Sequence, residues 1–158
     1  SENKISFIAA SQTTEDGKPV VACFARIPFT KEAVEAWAKK ALVPSAQVLS
    51  DGLGCFRGIT ASGATHFAII MNGGAGREAA QHSAFRAVNY GLGNLKTAIN
   101  GTYHAFDFRK YANLYLSEVQ YRFNRRFDLG TILKRLVRAT VTTVPWPETA
   151  IRTAEACN

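Results

Sequence analysis

Asn89 and Lys96 stand seven residues apart in a stretch of helical character. Seven residues fall about 20° short of two full helical turns, so both side chains leave the helix on one flank, roughly 10 Å apart along its axis. An amide and an ammonium presented together can hold a phosphate or a metal–phosphate pair. Asp51 adds a carboxylate at the carboxyl end of a short apolar run with strand character, where open α/β sheets place their ligands. Gly52 and Gly54 leave room behind it for a backbone or a phosphate to come close. Carboxylate and amide oxygens suit a hard cation such as Mg2+, and the lysine suits a phosphate oxygen. Each of the three also has a structural reading: Asn89 as a helix cap, Lys96 as a solvated charge, Asp51 as a turn residue closing a strand.

Further along lie groups suited to a polyanion. His104, in the string GTYH, suits either phosphate contact, proton transfer or a structural hydrogen bond. Arg122, Arg125 and Arg126 gather at the end of one predicted helix, and Lys134, Arg135 and Arg138 follow one helix later. Basic residues near a helix C-terminus also complement its dipole. The charge balance favours the phosphate reading. Residues 1–85 hold eight Lys/Arg against seven Asp/Glu, whereas residues 86–158 hold eleven against five. The excess of +7 therefore sits almost wholly in the second half, and nucleic acid is the commonest partner of such a surface. Backbone contacts of this kind give affinity without sequence specificity.

Other chemistries find little support. Cys23, Cys55 and Cys157 are too few and too scattered for a disulfide framework, form no CxxC pair, and suit a reducing cytoplasm. Cys55 reads as a small buried thiol rather than a nucleophile. His66 and His82 have no zinc spacing. The run GGAGRE lacks both dinucleotide and Walker spacing. No run approaches the roughly 18 apolar residues of a membrane helix, and no signal peptide is visible.

Residues 4–13 and 19–27 are apolar and extended, with Asp16-Gly17 between them as the turn of a hairpin. Thr30 is the expected N-cap of a helix that Pro44 stops, with Ala33, Val34, Trp37, Ala38 and Leu42 inward. Residues 46–50 predict a short strand, residues 53–59 a helical or looped piece, and residues 66–71 another strand. The glycine-rich stretch 72–84 predicts a mobile surface loop. Val88, Leu92, Leu95 and Ile99 then form one helical stripe, with Gly101 just past its end. Asp107 is the expected cap of the next helix, whose Phe108, Tyr111, Ala112, Tyr115, Val119 and Phe123 share a face. Asp128 is the expected cap of a third, with Leu129, Ile132, Leu133 and Leu136 inward. At 158 residues and 47% apolar composition the chain has enough material for one domain with a real core. The order hairpin, helix, strand, strand, helices implies an α/β fold, a mixed sheet flanked by helices. Residues 1–139 read as that domain, and residues 140–158, with Pro145 and Pro147, as a loosely held tail.

The strings SDGLGCFRG, VNYGLGNLKTAINGTYHAFDF and YRFNRRFDL resemble the catalytic domain of a bacterial insertion-sequence transposase. The branch is that of the DDE superfamily in which Asn, followed by a Lys seven positions on, replaces the third acidic residue. The likeness runs from about residue 4 to residue 138. It implies an RNase-H-like fold whose first strand is missing here. It also implies DNA cleavage and strand transfer of the insertion sequence by two-metal phosphoryl transfer, with Mg2+ or Mn2+. Carried over by motif, Asp51 matches the second Asp, Asn89 the third position and Lys96 the trailing Lys, with Asp51 and Asn89 as metal ligands. The implied partners are transposon ends and target DNA, with a second copy of the chain by analogy, in a bacterial cytoplasm near the nucleoid. The first Asp of the pattern has no counterpart, since Asp16 sits in a turn and Glu2 is outside the motif. The expectation is a fragment or decayed remnant with weak metal binding, inactive as it stands. The alternative is a basic nucleic-acid-binding module with no catalysis.

Overall fold

The computed structural model describes residues 5–70, 82–102 and 107–153. Strands β1 (Ile8–Thr13) and β2 (Pro19–Ala25) form the expected antiparallel hairpin, Ile8 opposite Ala25 and Ala10 opposite Cys23. Its turn uses Gly17 at φ 77, a conformation that costs glycine nothing. Thr30 caps α1 (Lys31–Ala41) by accepting the Ala33 N–H at 3.2 Å. Val34 and Ala38 of that helix are fully buried, as their spacing requires.

β3 (Gln47–Ser50) and β4 (Thr65–Ala68) pair in parallel, Val48 opposite His66 and Ser50 opposite Ala68. Parallel neighbours need a crossover, and a 3-10 segment, Gly54–Ser62, supplies it. This segment lies hard against α1. A Cβ on Gly58 would stand 2.5 Å from the Lys31 carbonyl oxygen, so only glycine permits the approach.

Pleat alternation divides β1 between two cores. Ile8 and Ala10 face α1 and the crossover, joining Val34, Cys55, Ile59 and Ala64, with Ala46 and with Val48 of strand β3. Phe7 and Ala9 face the other way, where Ala22 and Phe24 meet α2 (Arg86–Thr102) and α3 (Phe108–Asn124) through Leu95, Leu116, Val119 and Phe123. The hairpin is thus a middle layer with helices on both faces. The expected single mixed sheet takes the form of two two-stranded sheets, β1–β2 and β3–β4, with no ladder between them among the described residues; β1 and β3 share a core with α1.

α2 runs to Thr102, so Gly101 lies in its last turn instead of beyond it. Asp107 caps α3 as expected, accepting the Lys110 N–H at 3.0 Å, and the helix is interrupted at Tyr111. Leu116, absent from the predicted stripe, is its most buried large side chain.

α4 (Ile132–Thr142) follows a short 3-10 turn, Leu129–Thr131, to which Asp128 gives no capping bond to backbone N–H; its carboxylate accepts the Thr131 hydroxyl instead. The inward placing of Leu129, Leu133 and Leu136 is wrong: all three are more than half exposed, and Ile132 is only half-buried. An apolar stripe is buried only where another element meets it, and among the described residues no packing layer lies over α4. α5 (Glu148–Thr153) occupies part of the stretch for which no element was read. Among the described residues no helix is long and apolar enough to cross a membrane. Most of the predicted loop 72–84 lies outside the described residues, as do Glu2, His104 and Cys157.

Candidate functional site

β3 ends on Ser50, whose side chain turns inward and is only 7% exposed. Its Oγ lies 2.9 Å from His66 Nε2 on the adjacent strand and accepts the Gly52 N–H at 3.2 Å. Gly52 adopts φ 81, and a Cβ there would stand 3.0 Å from the Ile70 side chain. The chain therefore turns sharply at the strand end, and Asp51 is left exposed at the apex, one carboxylate oxygen accepting the Leu53 N–H at 3.2 Å. Burial holds the His66 imidazole below the usual histidine range. Ser50 Oγ and the neutral ring's Nε2 share one hydrogen bond whose donor is set by the ring tautomer, and Oγ also receives the Gly52 amide.

The sequence pattern singles out Asp51 and gives no sign of the Ser50–His66 contact beside it. Ser50 and His66 are sixteen positions apart, and only the parallel register puts them on one face.

Asn89 and Lys96 both lie on α2. Its buried stripe is Ala87, Gly91 and Leu95, with Gly91 3.5 Å from the Phe24 ring by the position of a virtual Cβ. Asn89 is half-buried and Lys96 exposed, on the flank the seven-residue spacing requires. Both therefore lie on one helix, about two turns apart. Asp51 belongs to a different element: α2 covers the hairpin β1–β2, whereas Asp51 follows β3 of the second sheet. Among the described residues no group of three or more His, Cys, Asp or Glu side chains is assembled as a metal cage. The oxygen donors of Asp51 and Asn89 suit a hard divalent ion in kind.

Cys55 sits close behind the same turn. Burial, and to a lesser degree the charge of Asp51, push its thiol up, so it stays protonated and inert at neutral pH.

The arginines of α3 divide by task. Arg126 is committed to structure: its guanidinium donates to the carbonyls of Phe123 at 2.8 Å, Val20 at 3.3 Å, and Pro19. Beside it, Asn124 accepts the Ala22 N–H at 2.7 Å and donates to the Ala22 carbonyl at 2.9 Å, while Gln120 accepts the Phe24 N–H at 2.7 Å. Together the three side chains occupy the open edge of β2 as another strand would. Sequence reading missed this use, because nothing in the helix pattern indicates which polar residues face a strand edge.

Arg122 pairs with Glu118 at 3.3 Å on the exposed side. Arg125 stacks on Tyr121, with its guanidinium carbon 4.0 Å from the ring centre. Lys134, Arg135 and Arg138 line an open groove along α4 with Thr131, Ala139, Thr142 and Thr143. These form a basic surface continuous in sequence with the end of α3.

The family model described as ISXO2-like transposase domain matches residues 1–124. No curated protein and no solved structure matches the chain.

Proposed function

The chain belongs to the ISXO2-like transposase domain family, a DDE-type insertion-sequence transposase family, and from that premise we propose that it serves DNA cleavage and strand transfer. Family membership over residues 1–124 is the observation that carries this reading. The proposed fold is RNase-H-like. It is supported by an antiparallel hairpin and a parallel pair whose strands β1 and β3 share one core with α1. In such a fold β1–β2 and β3–β4 are two parts of one sheet.

Asp51 is assigned as a metal ligand because it is an exposed carboxylate held at the carboxyl end of a parallel strand. The Gly52 turn and the Ser50–His66 contact keep it there. Asn89 is assigned as an amide-oxygen ligand and Lys96 as the group that steadies a DNA phosphate. When bound at such a site, divalent cations, Mg2+ or Mn2+, supply charge neutralisation and an activated oxygen nucleophile for in-line phosphoryl transfer. The residues' own work is to orient: the carboxylate is fixed by its turn, and the ammonium is carried at constant offset from Asn89 by a rigid helix. DNA is the proposed partner. Arg122, Arg125, Lys134, Arg135 and Arg138 supply phosphate contacts without base specificity, whereas Arg126 contributes chiefly by shaping the surface.

Two measurements test the reading. DNA binding by the chain is expected to weaken steeply with salt. Strand transfer on the matching transposon end, by the chain extended upstream, is expected with Mg2+ and lost in Asp51→Ala. Activity that survives Asp51→Ala would remove the assigned role. Salt-dependent binding indifferent to both Mg2+ and Asp51→Ala, with no strand transfer by the extended chain, would favour the non-catalytic binding module.

A further inference from the structure

At the turn between α3 and α4 the most exposed large apolar side chain of the described residues, Phe127, stands 90% in solvent. Single exposed apolar residues are ordinary, but this one has an unusual backing. The Arg126 guanidinium lies between two rings, its central carbon 4.0 Å from the centre of Phe123 and 4.4 Å from that of Phe127. Three carbonyls, from Pro19, Val20 and Phe123, hold the guanidinium in place. The cation is therefore fixed, and Phe127 rests one face on it and offers the rest to solvent.

Phe123 is itself buried in the core between the hairpin and α3, so the stack is anchored to the fold. One turn back, Arg125 lies over Tyr121. Later in the chain, along α4, come Lys134, Arg135 and Arg138. The nearest acidic group in sequence, Asp128, has its carboxylate occupied by the Thr131 hydroxyl at 2.6 Å.

An aromatic ring with an open face, stiffened by a cation and flanked by basic side chains, fits one ligand chemistry: an unpaired nucleobase with its phosphate. Base–aromatic stacking tolerates any sequence because every base has a π-face, and flanking arginines and lysines hold the backbone. A fully paired duplex buries its base faces and has none to offer. We propose that Phe127 is a stacking platform for an unpaired base of single-stranded or locally opened DNA, with Arg126 as the residue that positions it. The proposal deepens the DNA reading and rests on it.

The test uses the 158-residue chain with two probes of equal length. One is an oligothymidylate carrying a single central 2-aminopurine; the other is a fully paired duplex. Binding is measured for the wild-type protein, Phe127→Ala and Phe127→Trp, with circular dichroism to verify folding. Because Phe127 is exposed, both variants should fold. Stacking predicts a change in 2-aminopurine fluorescence with the wild-type chain. It also predicts single-strand affinity lowered between about fivefold and a hundredfold in Phe127→Ala. Phe127→Trp should restore both signals, and duplex affinity should stay within about twofold throughout.

Single-strand affinity unchanged in Phe127→Ala, with duplex binding intact, would overturn the platform and leave the DNA reading standing. Equal loss on both probes would overturn it too, since the side chain would then be a general contact. Failure of the wild-type chain to bind either probe at low salt would overturn both.

Discussion

At the scale of single residues, position on the backbone separates groups of similar chemistry. Asp51 is exposed at a strand end, so Asp51→Asn should leave folding stability within about 0.5 kcal/mol of wild type. Denaturant unfolding measures this, and a large loss would recast the aspartate as a structural turn residue. His66 has the opposite setting. Burial lowers its folded pKa, so between that value and the unfolded value near 6.5 the unfolded chain binds more protons than the folded one. This contribution to stability is complete above about pH 6.5 and fades as the pH falls through the window below it. The urea midpoint should therefore decline on acidification from pH 7.5 to 5, and His66→Gln should flatten that part of the profile. An identical slope in the variant would remove His66 as the source. Cys55 should react slowly with iodoacetamide at neutral pH in the folded chain and rapidly once urea unfolds it, since its burial raises the thiol pKa.

Between elements, close approach and edge protection decide what can be changed. Gly58 lets the crossover segment touch the first turn of α1, where a Cβ would lie 2.5 Å from one backbone atom and 3.0 Å from another, the Glu35 nitrogen. Backbone cannot yield as a side-chain tip can, so Gly58→Ala should cost on the order of 1–3 kcal/mol or more. Gly54, with nothing within 4 Å of its virtual Cβ, is the matched control for thermal denaturation. The edge of β2 gives a second test. Asn124→Ala leaves the Ala22 amide and carbonyl without their partner, at a cost of about 1–3 kcal/mol for buried backbone groups. Combined with Gln120→Ala it also bares a strand edge, and concentration-dependent association should follow in light scattering. A double variant with no added association and wild-type stability would show the edge needs no cover.

For the whole molecule the uneven charge is the leading quantity. Nearly all of the net +7 belongs to the second half, and several of those cations stand exposed on α3 and α4. The slope of log affinity against log salt counts the phosphates engaged. Replacing Lys134, Arg135 and Arg138 together by Ala should lower that slope by about two to three units, whereas Arg126→Ala should leave the duplex slope unchanged while lowering stability and single-strand affinity. The apolar face of α4 lies outside both packed cores, consistent with a helix whose stripe is legible while its neighbour is not.

Local rules carried much of the architecture. The turn glycine at 17, the caps at Thr30 and Asp107, and the two-residue and 3.6-residue periods are short-range properties, and all appear in the structure. The family was legible for a similar reason, because its motif strings are linear. What remained hidden depends on long-range register and on which faces meet. Ser50 finds His66 only once β3 and β4 are aligned. Gln120, Asn124 and Arg126 meet β2 across about a hundred residues of chain. Leu129, Leu133 and Leu136 carry an inward pattern and yet face solvent. Periodicity states that a face is apolar, but burial requires a second surface in reach, and only the tertiary arrangement supplies or withholds it.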